Sequence, residues 1–244
     1  MTKIEKHSVP DPVSILMPVY NEAEVLENVV EEWITDVIQF LPEGSELLIA
    51  DGASTDGTRD ILKRLSLKHS FIRVIYRDSK EGFGAAARVL YREARCPWIF
   101  FTDSDGQYVP AEFWKLVPFM GQFPFIHGAK VGRQDPVFRK VASAVFNQMA
   151  RLLFDVHCDD INSAFRIMRA ELVKELLPQL TCMQNFLNTE LLIRANLHNY
   201  PIKQVDVMHR SRDGESRSLP ARRVLKEGLA AYRGLWELRS QYKK

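Results

Sequence analysis

Asp103 and Asp105 stand one residue apart, with the amide of Gln107 two positions further on, in the run Thr102-Asp103-Ser104-Asp105-Gly106-Gln107. Two carboxylates and an amide make an all-oxygen donor set. Such a set suits a hard divalent cation that keeps coordination positions open for substrate phosphates. The preceding Trp98-Ile99-Phe100-Phe101 is apolar enough for a buried strand, so the acids arrive at its carboxyl end. In open α/β sheets that is where ligands bind. The same residue types also make ordinary solvated turns, so the cluster has to be weighed with the rest of the chain.

A second polar run, Asp51-Gly52-Ala53-Ser54-Thr55-Asp56-Gly57-Thr58, follows another apolar stretch. An acid at a strand end can hydrogen-bond a base or ribose, and Ser54, Thr55 and Asp56 can cap the next helix. Pro18, Tyr20 and Glu22 end the first apolar run, where a ring and a carboxylate could flank a base or cap a helix. Gly82-x-Gly84-x-x-Ala87 imitates a dinucleotide fingerprint and would imply an NAD-dependent oxidoreductase. Against that, Arg77 to Glu81 separate the glycines from their strand, and the reading leaves Asp105, Gln107 and the Asp51 loop unused. The six histidines share no metal-ligand spacing, and neither a Gly-x-Ser-x-Gly elbow nor a Gly-Lys-Ser/Thr phosphate loop is present.

The elements that must hold these groups alternate. Strands are predicted at Val13–Val19, Glu46–Ala50, Phe71–Tyr76 and Trp98–Thr102, with helices at Glu22–Phe40, Gly57–Lys68 and Gly84–Arg95 between them. That alternation implies a mostly parallel sheet with right-handed crossovers. Beyond Pro110 the pattern is mixed: strands at 124–130, 164–168 and 202–209, helices at 137–154, 188–198 and 219–241. Nothing marks a linker, so the chain reads as one domain. Residues 12–109 form its nucleotide-binding half, 110–218 its half for the second substrate, and 219–244 a terminal amphipathic helix.

The bulk numbers exclude several classes. A net charge of +2 over 244 residues argues against nucleic-acid binding. The charge is uneven, however: from Arg217 onward eight basic residues face two acids, a net +6 that leaves −4 elsewhere. With an apolar stripe (Ala221, Leu225, Leu229, Tyr232, Trp236), this end could lie on an anionic membrane, or pack on its own domain or a second subunit. Cys96, Cys158 and Cys182 lack paired spacing and fit a reducing compartment. The polar N-terminus has no signal core, and no apolar run approaches the roughly 18 residues of a membrane span. A cytoplasmic chain, peripheral on the cytoplasmic membrane face, is the expectation.

Taken together and in order, the motifs resemble family 2 glycosyltransferases of the GT-A (Rossmann-like) fold, and among them the dolichyl- and polyprenyl-phosphate sugar synthases. The resemblance runs from about Val13 to Arg217. It is carried by Met17–Glu22, Asp51–Thr58, Glu81–Ala86, Asp103–Gln107, Asp160–Arg166, Glu190 in Thr189–Leu192, and Gly214–Arg217. It implies that Pro18, Tyr20, Glu22 and Asp51 bind the nucleoside of a nucleotide-sugar. Asp103 and Ser104 would meet the nucleotide, Asp105 and Gln107 a magnesium or manganese ion on its diphosphate, and Lys130 the diphosphate itself. Arg210 or Arg212, with Ser216 and Arg217, would meet the phosphate of a polyprenyl (dolichyl-type) acceptor, in an inverting reaction. Two positions depart from the pattern: Gly52 stands where a second Asp is frequent, and Ser211 where arginine is usual.

A phosphate acceptor needs no base. For a saccharide hydroxyl, Asp160 or Glu190 would take the proton, unless those acids merely cap helices or pair with Arg166 or Arg194. A non-catalytic nucleotide-sugar-binding subunit is the alternative of another class. A homodimer or a membrane-subunit partner also fits.

Overall fold

The computed structural model describes residues 5–132, 137–210 and 221–242. Its seven strands are β1 (Val13–Val19), β2 (Glu46–Asp51), β3 (Ile72–Tyr76), β4 (Trp98–Phe101), β5 (Phe125–Val131), β6 (Arg166–Arg169) and β7 (Ile202–Met208). They form one sheet in the order β3-β2-β1-β4-β6-β5-β7. β1, β2, β3 and β4 run parallel, as do β5 and β7. β6 alone is reversed, antiparallel to both β4 and β5. Every residue of β2 and β4 is buried, as expected of strands covered on both faces.

Helices α1 (Leu26–Asp36), α2 (Thr58–Lys68), α3 (Phe83–Glu93), α4 (Val137–Phe154), α5 (Ala170–Leu176), α6 (Leu187–Leu197) and α7 (Ala221–Tyr242) flank the sheet. Trp33 from α1, Phe100 from β4, Phe113 and Phe165 are fully buried and meet ring to ring, with Phe100 edge-on to Phe165 at 4.7 Å. Such pairs add about 0.5–1.5 kcal/mol beyond the area they bury.

The strand directions decide where function can sit. With only β6 reversed, the carboxyl ends of six strands and the loop entering β6 all open on one edge. Every predicted site residue within the described range except Glu190 lies on that edge. The order also reverses between β1 and β4, which places a ligand crevice outside their ends.

Three expectations need correction. α1 runs from Leu26 to Asp36 rather than from Glu22 to Phe40: ahead of it the amides of Glu22 and Ala23 tie the chain to Thr58 Oγ1 (3.0 Å) and Asp56 Oδ2 (3.2 Å), and after it Ile38–Phe40 form a separate 3-10 turn. α5 was not foreseen: its seven residues are too few to show a helical period. The stripe predicted on the terminal helix is split. Ala231, Leu235 and Leu238 are buried, while Leu229 and Trp236 face outward. A Cβ on Gly234 would lie 2.6 Å from Met183 Cγ, so α7 is pressed against the body of the protein. The side chains of residues 221–226 lie outside those described.

Candidate active site

The loops leaving β1 and β2 are stitched together before any ligand arrives. Asn21 N–H donates to Ser54 Oγ (2.9 Å) and Thr55 N–H to Asn21 Oδ1 (2.8 Å), while Gly52 N–H donates to Val19 O (2.8 Å). Tyr20 is exposed at this seam with the Lys80 ammonium 3.8 Å over its ring, and Pro18 and Glu22 are half-buried beside it. Asp51 behaves differently from the expectation that it faces a nucleoside. Its carboxylate is fully buried, accepting from Ser54 N–H (3.2 Å) and Arg59 Nε (2.7 Å). A base reaches it only by displacing Arg59, whose side chain is 41% exposed.

At the end of β4, Asp103 and Asp105 crowd one another. Burial and then repulsion from Asp105 push the Asp103 carboxyl up to about 7, against the opposing pull of Lys130 and Arg166. Two acids that repel one another in a partly dry site are what a bound cation would relieve. Asp105 Oδ1 caps the turn by accepting from Gln107 N–H (3.1 Å), with Gly106 at φ 73°. Among the described residues no cluster of three or more His, Cys, Asp or Glu could hold a metal alone. The donor set therefore fits a divalent cation only as a partial shell that a diphosphate completes.

Arg210 has a place the sequence did not suggest. Its Nε donates to Gly106 O (2.6 Å), its Nη2 pairs with Glu32, and its own N–H donates to Gln107 O (2.9 Å). It straps the acidic turn to the end of β7. As placed it holds the turn. Arg212, Ser216 and Arg217 lie outside the described residues.

Across the crevice, Lys130 Nζ lies 3.5 Å from Asp160 Oδ2 and 5.9 Å from the Tyr108 ring centroid. The loop carrying Asp160 is built from beneath. His127, which burial holds neutral with its pKa pushed down to about 3, donates from Nε2 toward the carbonyls of Asp159 (3.2 Å) and Asp160 (3.1 Å). Arg166, buried at the start of β6, gives Nη1 to Asn188 O (2.6 Å) and Nη2 to Ser163 O. Tyr108 stacks on Phe165 at 5.0 Å, and its hydroxyl accepts from Ala164 N–H (3.1 Å). These contacts fasten the Asp103 turn to the Asp160 loop.

Glu190 takes the pairing with Arg194 that stood as the alternative to a base. It is fully buried, and its carboxylate accepts from the amides of Thr181 (3.0 Å), Cys182 (3.0 Å) and Met183 (2.7 Å) and from Arg194 Nε (2.9 Å). With both oxygens engaged on the 181–183 segment, it is a structural anchor and not a base. The second glycine of the dinucleotide mimic is likewise explained by packing: a Cβ on Gly84 would lie 1.5 Å from Gln184 O.

Next to Asp103 opens a cavity of about 290 Å³ bounded by Phe83, Lys130, Asn162, Asn185, Phe186 and Asn188. Sequence reasoning missed Asn185, Phe186 and Asn188. The only available signal was the polar start of an otherwise apolar helix at Asn188-Thr189-Glu190.

A sheet in this order, carrying paired acids at the end of β4 and a polar cavity beside them, has its ligand crevice where an open α/β sheet of the GT-A type would have it. The sequence model of glycosyl transferase family 2 matches residues 14–177, and the chain belongs to that family. It is 25% identical over 233 residues to the glycosyltransferase AglD of Haloferax volcanii, covering 93% of this chain and 37% of that one. It is 27% identical over 202 residues to the undecaprenyl-phosphate 4-deoxy-4-formamido-L-arabinose transferase of Pectobacterium carotovorum, covering 82% of this chain. The chain thus spans 37% and 60% of the lengths of these two relatives.

Among solved structures, glucosyl-3-phosphoglycerate synthase from Mycobacterium tuberculosis, with Mn2+, UDP-glucose and phosphoglyceric acid, superposes with a TM-score of 0.72. The two are 20% identical, and the match covers 95% of this chain and 80% of that one. The mannosyl-3-phosphoglycerate synthase of Rubrobacter xylanophilus gives 0.65 at 14% identity, covering 96% of this chain and 75% of that one. At such identities these likenesses establish the fold.

Proposed function

We propose that this chain transfers a sugar, with inversion, from a nucleoside diphosphate sugar to a polyprenyl phosphate. The observation that carries the reading is the Asp103–Gln107 turn. It holds a partial donor set at the sheet edge, strapped in place by Arg210 and opening on a polar cavity. The undecaprenyl-phosphate transferase of Pectobacterium carotovorum supports the lipid-phosphate acceptor. The Mn2+ and UDP-glucose in the Mycobacterium tuberculosis enzyme support the donor and the ion.

In this reading Pro18, Tyr20 and Glu22 flank the nucleoside, Asp51 reaches it once Arg59 yields, and Asp103 with Ser104 meets the nucleotide. Asp105 and Gln107 hold Mg2+ or Mn2+, which when bound neutralises charge on the leaving diphosphate. The bond between the anomeric carbon and the β-phosphate oxygen breaks with its electrons leaving on the diphosphate. An acceptor oxygen attacks that carbon from the opposite face. A phosphate acceptor is already anionic, so no proton moves. Lys130 adds positive charge on the leaving side.

The hydroxyl-acceptor reading rests on Asp160 alone now that Glu190 is engaged elsewhere. Asp160 is buried with its Oδ2 3.5 Å from the Lys130 ammonium, so it too is already paired.

A lipid acceptor requires access to a bilayer. No helix among the described residues is long and apolar enough to cross a membrane. α4 and α7 pack together through Phe146 and Tyr232, with ring centroids 5.9 Å apart. They expose Val141, Val145 and Leu152 on one and Leu229 and Trp236 on the other. We assign these side chains to peripheral contact with the interface that presents the acceptor. The donor is tested by a thermal-shift screen of UDP-, GDP- and dTDP-sugars with manganese, since binding raises apparent stability by mass action. A melting temperature that no nucleotide-sugar moves would refute the donor assignment.

A further inference from the structure

We infer that the groove between α3 and the 184–186 turn is a second anion site, outside the transfer site, and that it takes a phosphate group. The inference goes beyond the transfer reading above and stands on different residues.

The groove has a volume of about 440 Å³ and is bordered by Arg77, Glu81, Arg88, Arg92, Gln184 and Asn185. Arg88 and Arg92 are four residues apart on α3 and so share one of its faces, where two like charges repel. Arg88 is half-buried and held in place: Nη1 donates to Leu177 O (2.9 Å) and Nη2 to Leu180 O. Both acceptors are neutral carbonyls, and among the described residues Arg88 makes no ion pair. Its Nε and one hydrogen on each Nη remain to be used.

The other charges around the groove have partners. Arg77 pairs with Glu81, whose second oxygen accepts from Ser79 Oγ (3.1 Å). These hydrogen bonds hold the Glu81 carboxyl below its ordinary value. Arg92 meets Glu93 at 3.3 Å, with both side chains exposed. Asn185 gives Nδ2 to Glu227 Oε2 (2.8 Å), which fixes that wall against α7. One positive charge, on Arg88, is thus left uncompensated in a concave setting.

A phosphate answers this arrangement. It is compact, its oxygens accept hydrogen bonds, and a planar guanidinium meets two of them through parallel N–H donors. Gln184, exposed on the rim, adds an amide. Glu81 opposes an anion, but its side chain is 53% exposed and sits at the edge, so an entering phosphate competes with it for Arg77. Asn185 also borders the cavity beside Asp103, where the cation is Lys130; the two sites are neighbours with separate cations. A free anion and the headgroup of an anionic lipid present the same phosphate chemistry.

The test titrates inorganic diphosphate in EDTA and reads binding from the melting temperature. Diphosphate should raise the melting temperature of wild type. Arg88→Gln should weaken binding about tenfold, the worth of one charged hydrogen bond, and Arg92→Gln about threefold, as for an exposed pair. Glu81→Gln should tighten binding about threefold by the same reasoning. Misfolding cannot produce that gain, so Glu81→Gln decides the matter if Arg88→Gln, which also releases the carbonyls of Leu177 and Leu180, fails to fold. Lys130→Ala should change nothing. Diphosphate that leaves wild type unmoved, binding that neither Arg92→Gln nor Glu81→Gln alters, or binding that Lys130→Ala abolishes would overturn the site. Sedimentation with phosphatidylcholine vesicles, with and without phosphatidic acid, then identifies the source. Sedimentation on phosphatidic acid that falls in Arg92→Gln and rises in Glu81→Gln assigns the site to a lipid headgroup. Equal sedimentation of all three proteins, with the diphosphate results above intact, assigns it to a free anion.

Discussion

Replacing Glu190 by glutamine separates an anchor from a base. The carboxylate accepts main-chain N–H bonds on both oxygens, Oε1 from Thr181 and Oε2 from Met183, and Oε1 also takes Nε of Arg194. Glutamine has only one acceptor oxygen. Whichever way its amide turns, an NH2 group confronts an N–H donor, and Arg194, itself 4% exposed, loses its counter-charge. Breaking a buried pair from one side costs about 3–5 kcal/mol. For a chain of this size each kcal/mol moves the melting temperature by roughly 2–4 °C, so Glu190→Gln should melt about 6–20 °C below wild type. Calorimetry gives the melting temperature, and transfer assayed well below it gives kcat. The reasoning requires a large fall in melting temperature with kcat within a few-fold of wild type. An unchanged melting temperature with kcat down a hundredfold or more would refute it and return Glu190 to the chemistry.

Three further outcomes are expected. Arg210→Ala removes the strap on Gly106 and should weaken joint binding of Mn2+ and nucleoside diphosphate about tenfold, the worth of roughly one charged hydrogen bond, with acceptor KM unchanged; titration calorimetry and acceptor kinetics decide. Leu229→Ser with Trp236→Ser should reduce sedimentation with anionic liposomes and leave the melting temperature within about 4 °C, because exposed positions away from special features seldom change stability by more than ~0.5 kcal/mol each. Deleting the end of α7, by contrast, should unfold the protein, since Leu235 and Leu238 are fully buried.

A fourth outcome concerns acid stability. Burial alone would raise the pKa of Glu46, but hydrogen bonds from Arg73, Ser14 and the Arg95 N–H outweigh it and hold the carboxyl below its ordinary 4.5. A depressed native pKa means that the unfolded chain binds the proton first. The stabilisation is therefore complete above the unfolded value and is lost as pH falls through the native one. Glu46→Gln should flatten this acid limb in urea titrations made across that range; an unchanged limb would show that Glu46 contributes nothing to it.

The first half of the fold was legible because local pattern and topology agree there: apolar runs ending in Asp51 and Asp103 are parallel strands, and each hands its acid to the sheet edge. The reversal of β6 was not legible. Arg166 to Arg169 is too short to declare a direction, which is set by pairing with β4 and β5. Arg210 or Arg212 was expected at the acceptor phosphate because the two straddle Ser211, where the resemblance leads one to expect arginine. The partners of Arg210, Gly106 and Glu32, lie more than a hundred residues away, beyond the reach of any local pattern. Glu190 failed as a candidate base for the same reason in reverse: three amides of a neighbouring turn claim it. Asn185 and Asn188 carry no motif, and their meaning appears only when α3, α6 and the Asn162 loop close around one cavity.

The central claim is that Asp105 serves metal-dependent sugar transfer to a lipid phosphate. Purified protein is given a labelled nucleotide-sugar, a polyprenyl phosphate and Mn2+, and the labelled lipid is extracted and counted, with EDTA and with Asp105→Asn as parallel arms. The account predicts a polyprenyl-phosphate sugar in the first arm and loss of at least a hundredfold in the other two, with Asp105→Asn still folded. Label carried only by a saccharide hydroxyl, or transfer that survives both EDTA and Asp105→Asn, would contradict it.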